Sequence, residues 1–397
     1  MNIHIFLYLI FFLILIEILL FIVVRVFKKE FKWILDKKDE TPNFNKNKLN
    51  KFYKDSYDPY LGWDRKKNSK GYEISSKKTY FRISKFGFRG TPKFKNSKIS
   101  VFGDSFAFCR YVNDNQTWQS FLENKIHSNV YNFGVGNYGL DQSFLKYLKH
   151  KKKIKSKVII FNFVPETIAR INSYWKHYRE FGNILAFKPL LNIKKNKLKI
   201  LKIKVKKKFS EKRIHKQINF IKSRDIFYKM KFKKYMFKFP YSIIYYRNFT
   251  FFSKIFFYLC INKIQNDNKF LNKAITMFFE KNIHESHLMY KDIYFSNRLE
   301  TLINYMNNSI KKNNLKMIII ISPQLLDLRS PYINNYIDFF EKLSKKINCL
   351  DLTALLINKK NYNRYYLPDI YGGHLNKYGN KLISSEIFKF IKNKKLI

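Results

Sequence analysis

The sequence predicts an α/β protein in which a mainly parallel sheet is covered by helices on both faces. Short apolar runs alternate with amphipathic segments between residues 99 and 164, and again between residues 298 and 391. Such an alternation is typical of parallel sheets, whose strands are buried on both faces and therefore apolar throughout. The chain of 397 residues, 46% hydrophobic and 18% aromatic, can also build a large core.

Strands and helices follow each other in the order that such a sheet requires. Apolar runs predict strands at residues 99–102, 130–133, 158–164, 316–321 and 349–352. Apolar residues at helical spacing predict helices at residues 117–127, 140–149, 298–312, 333–347 and 377–391. The stretch from residue 164 to residue 298 is much longer than one crossover needs, so we expect an insertion at about residues 175–296.

The chain is strongly basic. Lys and Arg exceed Asp and Glu by 78 − 28, a formal net charge of +50, which is typical of proteins that bind nucleic acid or anionic membranes. Because Lys is enriched together with Asn, Ile, Phe and Tyr along the whole chain, we disfavour nucleic acid and prefer anionic lipid or an acidic polymer. Residues 188–238 are the most basic stretch, and we interpret them either as a solvated excursion or as a surface for phospholipid or an acidic glycan.

The N-terminal residues predict a membrane anchor. Residues 3–24 are almost wholly apolar, interrupted by His4 and Glu17, and are long enough for one helix to cross a bilayer. Basic residues follow this run and no small-residue cleavage site appears, the reverse of a signal peptide. The basic flank favours a cytoplasmic C-terminal side, whereas glycan chemistry of the cell envelope favours the other. The predicted parts are a single-pass transmembrane anchor at 1–27, a juxtamembrane segment at 28–96 and the α/β domain at 97–397.

Metal and cofactor signals are weak. The three cysteines lack C-x-x-C spacing, so neither a disulfide framework nor a zinc site is indicated. His284 and His287 could share a helix face, but no third ligand is nearby, and we interpret them as a surface coincidence. Residues 134–139 match G-x-G-x-x-G, yet no acidic residue ends the next strand to hold a ribose, so we disfavour a dinucleotide site. We therefore predict no metal and no cofactor.

Two polar stretches far apart in sequence could combine as nucleophile and base. Ser105 follows the first predicted strand, and Asp369 and His374 lie in a Gly-rich stretch just before the last helix. A serine needs a base to take its proton, and the base needs a third group that sets its tautomer. Loops that follow parallel strands can meet at one edge of a sheet. A plain turn at Ser105 and a helix-capping role for His374 are the alternatives.

These stretches resemble conserved blocks of the SGNH (GDSL-type) hydrolase superfamily. Residues 102–106, FGDSF, are similar to its first block, residues 132–139 to its second, and His374-Leu-Asn376 to its last. The resemblance covers about residues 85–165 and 297–395. It implies a flavodoxin-like three-layer α/β/α sandwich and ester hydrolysis or acyl transfer, commonly of O-acetyl groups on carbohydrates. It also implies that Ser105 is the nucleophile and a backbone oxyanion donor, with His374 as the base.

Three departures from the family pattern bear on the oxyanion donors and the triad. Asn137, after Gly136, stands where the second block has glycine, although Asn tolerates positive φ and the donor there is backbone N–H. Glu166 stands where the third block has an Asn, and a carboxylate cannot donate unless protonated. Asn162 is the nearest amide, within a strand. Asp369 lies five residues before the histidine rather than three.

The leading hypothesis is a membrane-anchored serine esterase or O-acyl (O-acetyl) transferase that acts on acylated carbohydrate through an acyl-enzyme. The expected partners are an acylated glycan or small ester and membrane lipid. One alternative is a catalytically impaired relative that binds a glycan or lipid-linked glycan. Another is a peripheral binder of nucleic acid or anionic lipid that works through residues 188–238.

Overall fold

A computed structural model describes residues 3–28, 46–180, 186–194, 197–201, 211–367, 369–370 and 372–397. The helices are α1 Ile3–Phe27, α2 Lys46–Asp55, α3 Ser105–Phe108, α4 Trp118–Ile126, α5 Leu140–His150, α6 Thr167–Arg170, α7 Lys176–Glu180, α8 Glu211–Arg224, α9 Tyr241–Arg247, α10 Phe249–Gln265, α11 Asn268–Leu288, α12 Ile293–Lys311, α13 Ile333–Ser344, α14 Thr353–Ile357 and α15 Lys377–Asn393. The strands are β1 Tyr57–Asp58, β2 Gly62–Trp63, β3 Ser69–Ile74, β4 Lys78–Ile83, β5 Ser97–Gly103, β6 Asn129–Asn132, β7 Val158–Phe163, β8 Leu190–Lys194, β9 Lys197–Leu201, β10 Lys316–Ile321, β11 Cys349–Asp351, β12 Tyr366–Leu367 and β13 His374–Leu375.

The chain divides into two compact units. The anchor unit is built from the described parts of Met1–Lys46, Trp175–Ala186 and Val205–Asn282. The α/β unit is built from the described parts of Asn47–Tyr174, Phe187–Lys204 and Ile283–Ile397. Residues 47–96, which the sequence assigned to a juxtamembrane segment, group with the α/β unit, and the predicted insertion contributes to both units.

A five-stranded parallel sheet organises the described part of the α/β unit. Its strand order is β11-β10-β7-β5-β6, with parallel pairing throughout. Numbered by their succession along the chain, these strands lie in the order 2-1-3-4-5, which is the flavodoxin-like order. The strand order reverses between β5 and β7, and ligands of such folds bind at the carboxyl ends of the strands beside this switch point.

The two faces of the sheet pack against different helix layers. Aliphatic residues such as Ile99, Val101 and Ile160 join one core with α4 and α15. On the other face Phe102 contacts the ring of Tyr147 on α5, with ring centroids 5.8 Å apart. Because successive side chains of a strand point to opposite faces, each strand feeds both cores. The predicted three-layer α/β/α sandwich is confirmed, and the predicted strands and helices all form within a few residues of their expected bounds.

Arg89, which precedes the sheet in the sequence, supports the chain that follows α3. Arg89 continues the sheet region, because its backbone N–H donates to the Asn132 carbonyl at 2.7 Å. Its guanidinium donates to the carbonyls of Phe108 and Cys109 at 2.6 and 2.8 Å and to Asp114 at 2.7 Å. The buried arginine therefore holds the chain that leaves α3.

The anchor unit contains the apolar N-terminal helix. Among the described residues, α1 is the one helix long and apolar enough to cross a membrane, with a mean hydropathy of 3.2 over its most apolar window. A signal sequence passes the same test of length and composition, so the hydropathy of α1 establishes only that this helix is able to span a membrane. The C-terminal half of α1 packs on helices α9, α10 and the first part of α11 around Phe27, Phe252 and Phe278.

Candidate active site

Ser105 begins α3 directly after β5. Asp104 caps this helix by accepting a hydrogen bond from the Phe106 N–H at 2.8 Å. Gly103 is required by the close approach of β5 to β7, because a Cβ at this position would lie 1.9 Å from the Asn162 carbonyl oxygen. The serine therefore lies at the carboxyl edge of the sheet, beside the switch point between β5 and β7.

His374 and Asp369 meet Ser105 at this edge. The Nε2 atom of His374 lies 2.9 Å from Ser105 Oγ, and its Nδ1 atom lies 2.6 Å from Asp369 Oδ2. A carboxylate at Nδ1 favours the tautomer that carries its proton there, which leaves Nε2 free to accept the serine proton. We call these three residues the Ser105 network.

The imidazole of His374 is held between two aromatic rings. It stacks on Phe106 with ring centroids 5.0 Å apart, and it meets Tyr111 edge-on at 5.5 Å. His374 and Ser105 are only 5% and 7% exposed, so both side chains are largely shielded from water. The ring orientation is therefore set by packing as well as by the two hydrogen bonds.

Two glycines explain how Asp369 reaches the histidine across five positions. Gly372 and Gly373 have φ values of 121° and 80°, a region that side chains disfavour. A Cβ on Gly373 would also lie 2.7 Å from the Cβ of Leu325. The turn returns the Gly373 N–H to Asp369 Oδ1 at 3.2 Å, so the carboxylate lies under the imidazole despite the longer spacing.

The loop after β6 lies against α3 and carries the predicted oxyanion donors Gly136 and Asn137. A Cβ on Gly134 would lie 2.3 Å from the backbone nitrogen of Phe108, so the loop packs directly on the helix that Ser105 begins. Asn137 has φ of 70°, in the positive region that asparagine tolerates better than most non-glycine residues. The Gly136 carbonyl accepts a hydrogen bond from Trp63 Nε1 at 3.2 Å, which fixes the loop from the other side.

The third-block positions do not offer an amide to this site. Glu166 is buried and pairs with Arg170, whose Nη2 lies 2.7 Å from Glu166 Oε2. Asn162 donates its amide to Ser322 Oγ at 2.6 Å, which joins β7 to the end of β10. Neither side chain is placed as an additional donor for an oxyanion on Ser105.

Arg170 is a central residue that the sequence reasoning missed. Its Nη1 atom donates to Asp104 Oδ2 at 2.9 Å and to the Tyr138 carbonyl at 3.2 Å. Together with the bond to Glu166, these contacts join the segments that follow β5, β6 and β7. The Glu-x-x-x-Arg spacing was the available signal, since residues four apart on a helix are neighbours. Its importance arises from the contacts to Asp104 and Tyr138, which are distant in sequence.

A second Ser–His–Asp arrangement lies in the same unit. His287 Nδ1 is 2.9 Å from Ser330 Oγ, and His287 Nε2 is 2.8 Å from Asp327 Oδ1. We call these residues the His287 network. The imidazole and the carboxylate are fully buried, so the prediction that His287 is a surface residue is wrong. The described residues contain no group of three or more His, Cys, Asp or Glu that could hold a metal ion.

The His287 network holds the loop after β10, which contacts the turn that precedes His374. Asp327 Oδ2 accepts a hydrogen bond from the Gln324 N–H at 2.7 Å. Two residues later, the Leu326 N–H donates to the Gly372 carbonyl at 3.1 Å. The network therefore fixes the loop after β10, which contacts the turn between Asp369 and His374.

Positive charge surrounds the chain that follows Ser105. Burial raises the pKa of Glu73, but Arg65 and Arg110 outweigh this effect and hold it below its ordinary value. Glu73 Oε1 lies 3.2 Å from Arg65 and 3.5 Å from Arg110.

Burial raises the pKa of Cys109 to about 12, so this thiol stays protonated and is a poor nucleophile.

Comparisons with known proteins find similarity among solved structures. No family model matches the chain, and no curated protein matches it. A putative lipolytic protein of the G-D-S-L family from Desulfitobacterium hafniense DCB-2 matches with 12% identity and a TM-score of 0.35, over 74% of this chain and 99% of that chain. The lipase/acylhydrolase from Enterococcus faecalis matches with 12% identity and a TM-score of 0.35, over 75% of this chain and 96% of that chain. Similarities of this extent assign no activity to the chain, so its function is argued from its own site.

Proposed function

We propose that this chain is a serine esterase or O-acyl transferase that works through an acyl-enzyme. The observation that carries the proposal is the Ser105 network, with Oγ to Nε2 at 2.9 Å and Nδ1 to Oδ2 at 2.6 Å. These distances are within hydrogen-bond reach, as a nucleophile, a base and an orienting acid require. Their position at the carboxyl edge of the sheet, beside the switch point, favours a ligand site.

The proposed reaction has two halves. Ser105 Oγ attacks the ester carbonyl carbon while His374 Nε2 takes the hydroxyl proton, and Asp369 stays ionised and stabilises the imidazolium. The tetrahedral intermediate collapses as the C–O bond to the leaving alcohol breaks and His374 protonates that oxygen. Water or an acceptor hydroxyl then attacks the acyl-serine, again with His374 as the base, and Ser105 is released.

The negative oxygen of the intermediate would be held by backbone donors alone. The N–H groups of Ser105, Gly136 and Asn137 are the candidates, because the loop after β6 packs on the start of α3. Loss of one oxyanion donor typically costs about 100- to 1000-fold in rate. With Glu166 paired to Arg170, we expect slow turnover of simple esters compared with an enzyme that has an amide donor there.

The proposed substrate class is acylated carbohydrate. A cavity of about 380 Å³ in the α/β unit is lined by the polar side chains of Asn192, Tyr294, Asn297 and Arg298 together with the aliphatic side chains of Ile171, Leu191, Ile193 and Leu302. Asp141 also lines it and adds a carboxylate to the polar groups. Its volume lies within the usual range of small-molecule sites, about 300–1,000 Å³. Hydroxyls of a sugar match amide and guanidinium groups of this kind.

The proposal includes attachment to a membrane through α1 as a single-pass anchor. The length and mean hydropathy of α1 support a spanning position. This attachment would bring an ester-active site close to lipid-linked or envelope glycans.

The chemistry is tested by covalent labelling of the full chain in nanodiscs. A fluorophosphonate probe is added, and the adduct is mapped by mass spectrometry. We expect one adduct on Ser105, none in Ser105→Ala, and an unchanged adduct in the matched control Ser330→Ala. Labelling of wild type that is no faster than labelling of Ser105→Ala would disprove the proposal.

Substrate and acceptor are tested separately. The same preparation is given p-nitrophenyl acetate, or an O-acetylated oligosaccharide, with and without a non-acetylated sugar acceptor. Acetate release identifies hydrolysis, whereas acetyl transfer to the acceptor identifies a transferase. Labelling at Ser105 without any turnover of the acetylated sugar would retain the nucleophile but reject this substrate class.

A second candidate is a catalytically impaired protein that binds a glycan. The observation in its favour is that neither Glu166 nor Asn162 donates to the site. It predicts equal glycan affinity in wild type and Ser105→Ala, measured by calorimetry, with no acyl-enzyme in either.

A further inference from the structure

Glu17 lies within the apolar helix α1 and has backbone partners from another helix of the anchor unit. Its two carboxylate oxygens accept hydrogen bonds from the N–H groups of Tyr241 and Ser242 at 2.7 and 2.8 Å. These residues begin α9, where the backbone N–H groups lack partners within their own helix. A carboxylate in an apolar helix is thereby satisfied by backbone donors.

The position of Glu17 sets the depth of this contact. Phe27, at the end of α1, is ten positions after Glu17, which is about 15 Å of helix at 1.5 Å per residue. That is about half of a ~30 Å hydrocarbon layer. If α1 spans, Glu17 is near the middle of the bilayer, where an ionisable group needs a partner. The start of α9 must then lie at the same depth.

Two ring contacts along α1 agree with this depth for the start of α9. Phe21 contacts Tyr241 with ring centroids 6.2 Å apart, and Phe27 stacks on Phe256 at 6.4 Å. The start of α9 therefore lies beside the interior part of α1, and the middle of α10 lies beside its basic end. The chain from Tyr241 to Phe256 rises from the depth of Glu17 to the edge of the hydrocarbon layer.

The outer surface of α9 and α10 suits lipid. Tyr246 is 84% exposed, and other large apolar side chains on these helices are also exposed: Ile243, Phe249, Phe257 and Ile264. Basic residues are interleaved with them, and no Asp or Glu occurs between residues 238 and 265. A helix that shows apolar and Lys or Arg side chains on its outer surface is typical of the membrane interface. Lys254 is exposed near the middle of α10, at the level where headgroups are expected.

We propose that α9 enters the hydrocarbon layer beside α1, and that α10 lies at its border with basic side chains against anionic lipid headgroups. The membrane attachment then consists of α1 packed against α9 and α10 rather than of one isolated spanning helix. The inference rests on the proposed attachment through α1 and is independent of the chemistry at Ser105. Lipid is preferred over a second copy of the chain because the surface is continuous with α1 and its charge opposes that of anionic lipid.

The depth of α9 is measured with the full chain in nanodiscs that contain phosphatidylcholine and phosphatidylglycerol. Ile243→Cys is made with Cys260→Ser and Cys349→Ser, and the remaining Cys109 is buried. The thiol is labelled with an NBD fluorophore, and lipids with a doxyl group in mid-chain are added. We expect a blue-shifted emission and roughly twofold stronger quenching than at the control site Lys389→Cys, on the exposed face of α15.

Native Cys260 supplies the shallow point of the same series. It is exposed on α10, so NBD at this residue in Cys349→Ser should be quenched more by doxyl groups near the headgroup than by those in mid-chain. Quenching at residue 243 that equals the control would overturn the proposal. Oxidative cross-linking of Cys260 between two copies, without lipid quenching at residue 243, would assign the surface to a second copy and also overturn it.

Glu17 variants test the contact that sets the depth. Glu17→Leu removes both acceptors and Glu17→Gln keeps one, so we expect mid-chain quenching at residue 243 in the order wild type, Gln, Leu. All three proteins should still float with vesicles, because α1 remains apolar. If the wild type itself does not float, attachment through α1 is rejected. Unchanged quenching in Glu17→Leu would refute the role of Glu17 in holding α9.

Discussion

The described part of the α/β unit contains two Ser–His–Asp arrangements with nearly the same hydrogen-bond lengths, and our proposal assigns the reaction to one of them. In the Ser105 network the serine faces Nε2 and the acid faces Nδ1, whereas in the His287 network these assignments are reversed. Their surroundings also differ. Ser105 starts a helix at the switch point, beside a loop that can supply backbone donors, while Ser330 Oγ already accepts a hydrogen bond from the Tyr332 N–H at 3.3 Å.

The comparison shows that two hydrogen bonds linking a serine, a histidine and an aspartate do not by themselves define a catalytic triad. A nucleophile also needs a place for the substrate carbonyl and donors for the developing negative charge. The His287 network has neither in its immediate contacts, and its imidazole and carboxylate are fully buried. Its physical role is to hold the loop after β10 against the turn that carries Asp369.

The largest expected difference concerns the two serines. Ser105→Ala should lower the rate of ester hydrolysis at least about a thousandfold, because no other group can form the acyl-enzyme. Ser330→Ala should change it less than about tenfold, since that hydroxyl touches no substrate. The measurement is kcat/KM for p-nitrophenyl acetate in matched preparations. Equal losses in the two variants would contradict the distinction between the networks.

Replacement of the two histidines should affect stability and activity in opposite orders: the loss of stability should be larger at His287 and the loss of activity larger at His374. His287→Leu leaves the Asp327 carboxylate buried without its imidazole partner and should lower the free energy of unfolding by about 3–5 kcal/mol. His374→Leu should abolish turnover but cost less stability, because the Asp369 side chain that it leaves behind is 9% exposed, whereas that of Asp327 is fully buried. Denaturant unfolding of the α/β unit, followed alongside activity, measures both effects. A smaller stability loss in His287→Leu than in His374→Leu would reject this assignment.

Arg170 should influence the reaction by holding the start of α3, and with it the Ser105 network, in place. Arg170→Gln removes the charge that pairs with both Asp104 and Glu166, and it should lower kcat/KM about 10- to 100-fold by displacing the start of α3. Arg170→Lys should restore part of the loss, mainly in kcat. Glu166→Gln is the matched control with a small expected effect, because Arg170 keeps its bond to Asp104. A purely structural role would lower stability in Arg170→Gln without altering kcat at a permissive temperature.

A third buried histidine, His150, contrasts with both networks because its Nε2 has no hydrogen-bond partner among the described residues. Burial lowers the pKa of His150 to about 4, and the neighbouring Lys146 adds to the shift. Because the folded pKa lies below the unfolded value, this group's contribution to stability is complete above about pH 6.5 and is lost as the pH falls towards 4. The contribution is on the order of 3 kcal/mol.

Thermal unfolding of His150→Leu and wild type between pH 4 and pH 7 measures this contribution. The variant should lose less stability on acidification than wild type, since it has no imidazole to protonate. An identical pH dependence of Tm in the two proteins would show that His150 is not protonated on unfolding.

Several features could be predicted from local sequence patterns. The strands of the sheet and the helices that cover it follow from apolar periodicity, because that pattern determines which faces leave water. Ser105, Asp369 and His374 were found because the chemistry needs those residue types beside Gly-rich turns at strand and helix ends. The five-residue spacing from Asp369 to His374 needed the structure, since only the backbone at Gly372 and Gly373 shows that the chain can turn so tightly.

The sequence by itself determined the order of secondary structure, the apolar N-terminal helix and the identity of the polar residues at the strand ends. Only the tertiary structure decided how the polar groups pair: Arg170 with Asp104, Asn162 with Ser322, His287 with Asp327 and Glu17 with the start of α9. The physical reason is that apolar periodicity acts between residues a few positions apart. Buried hydrogen bonds, in contrast, are satisfied by whichever partner the fold brings near, and in these four pairs that partner is 40 or more positions away.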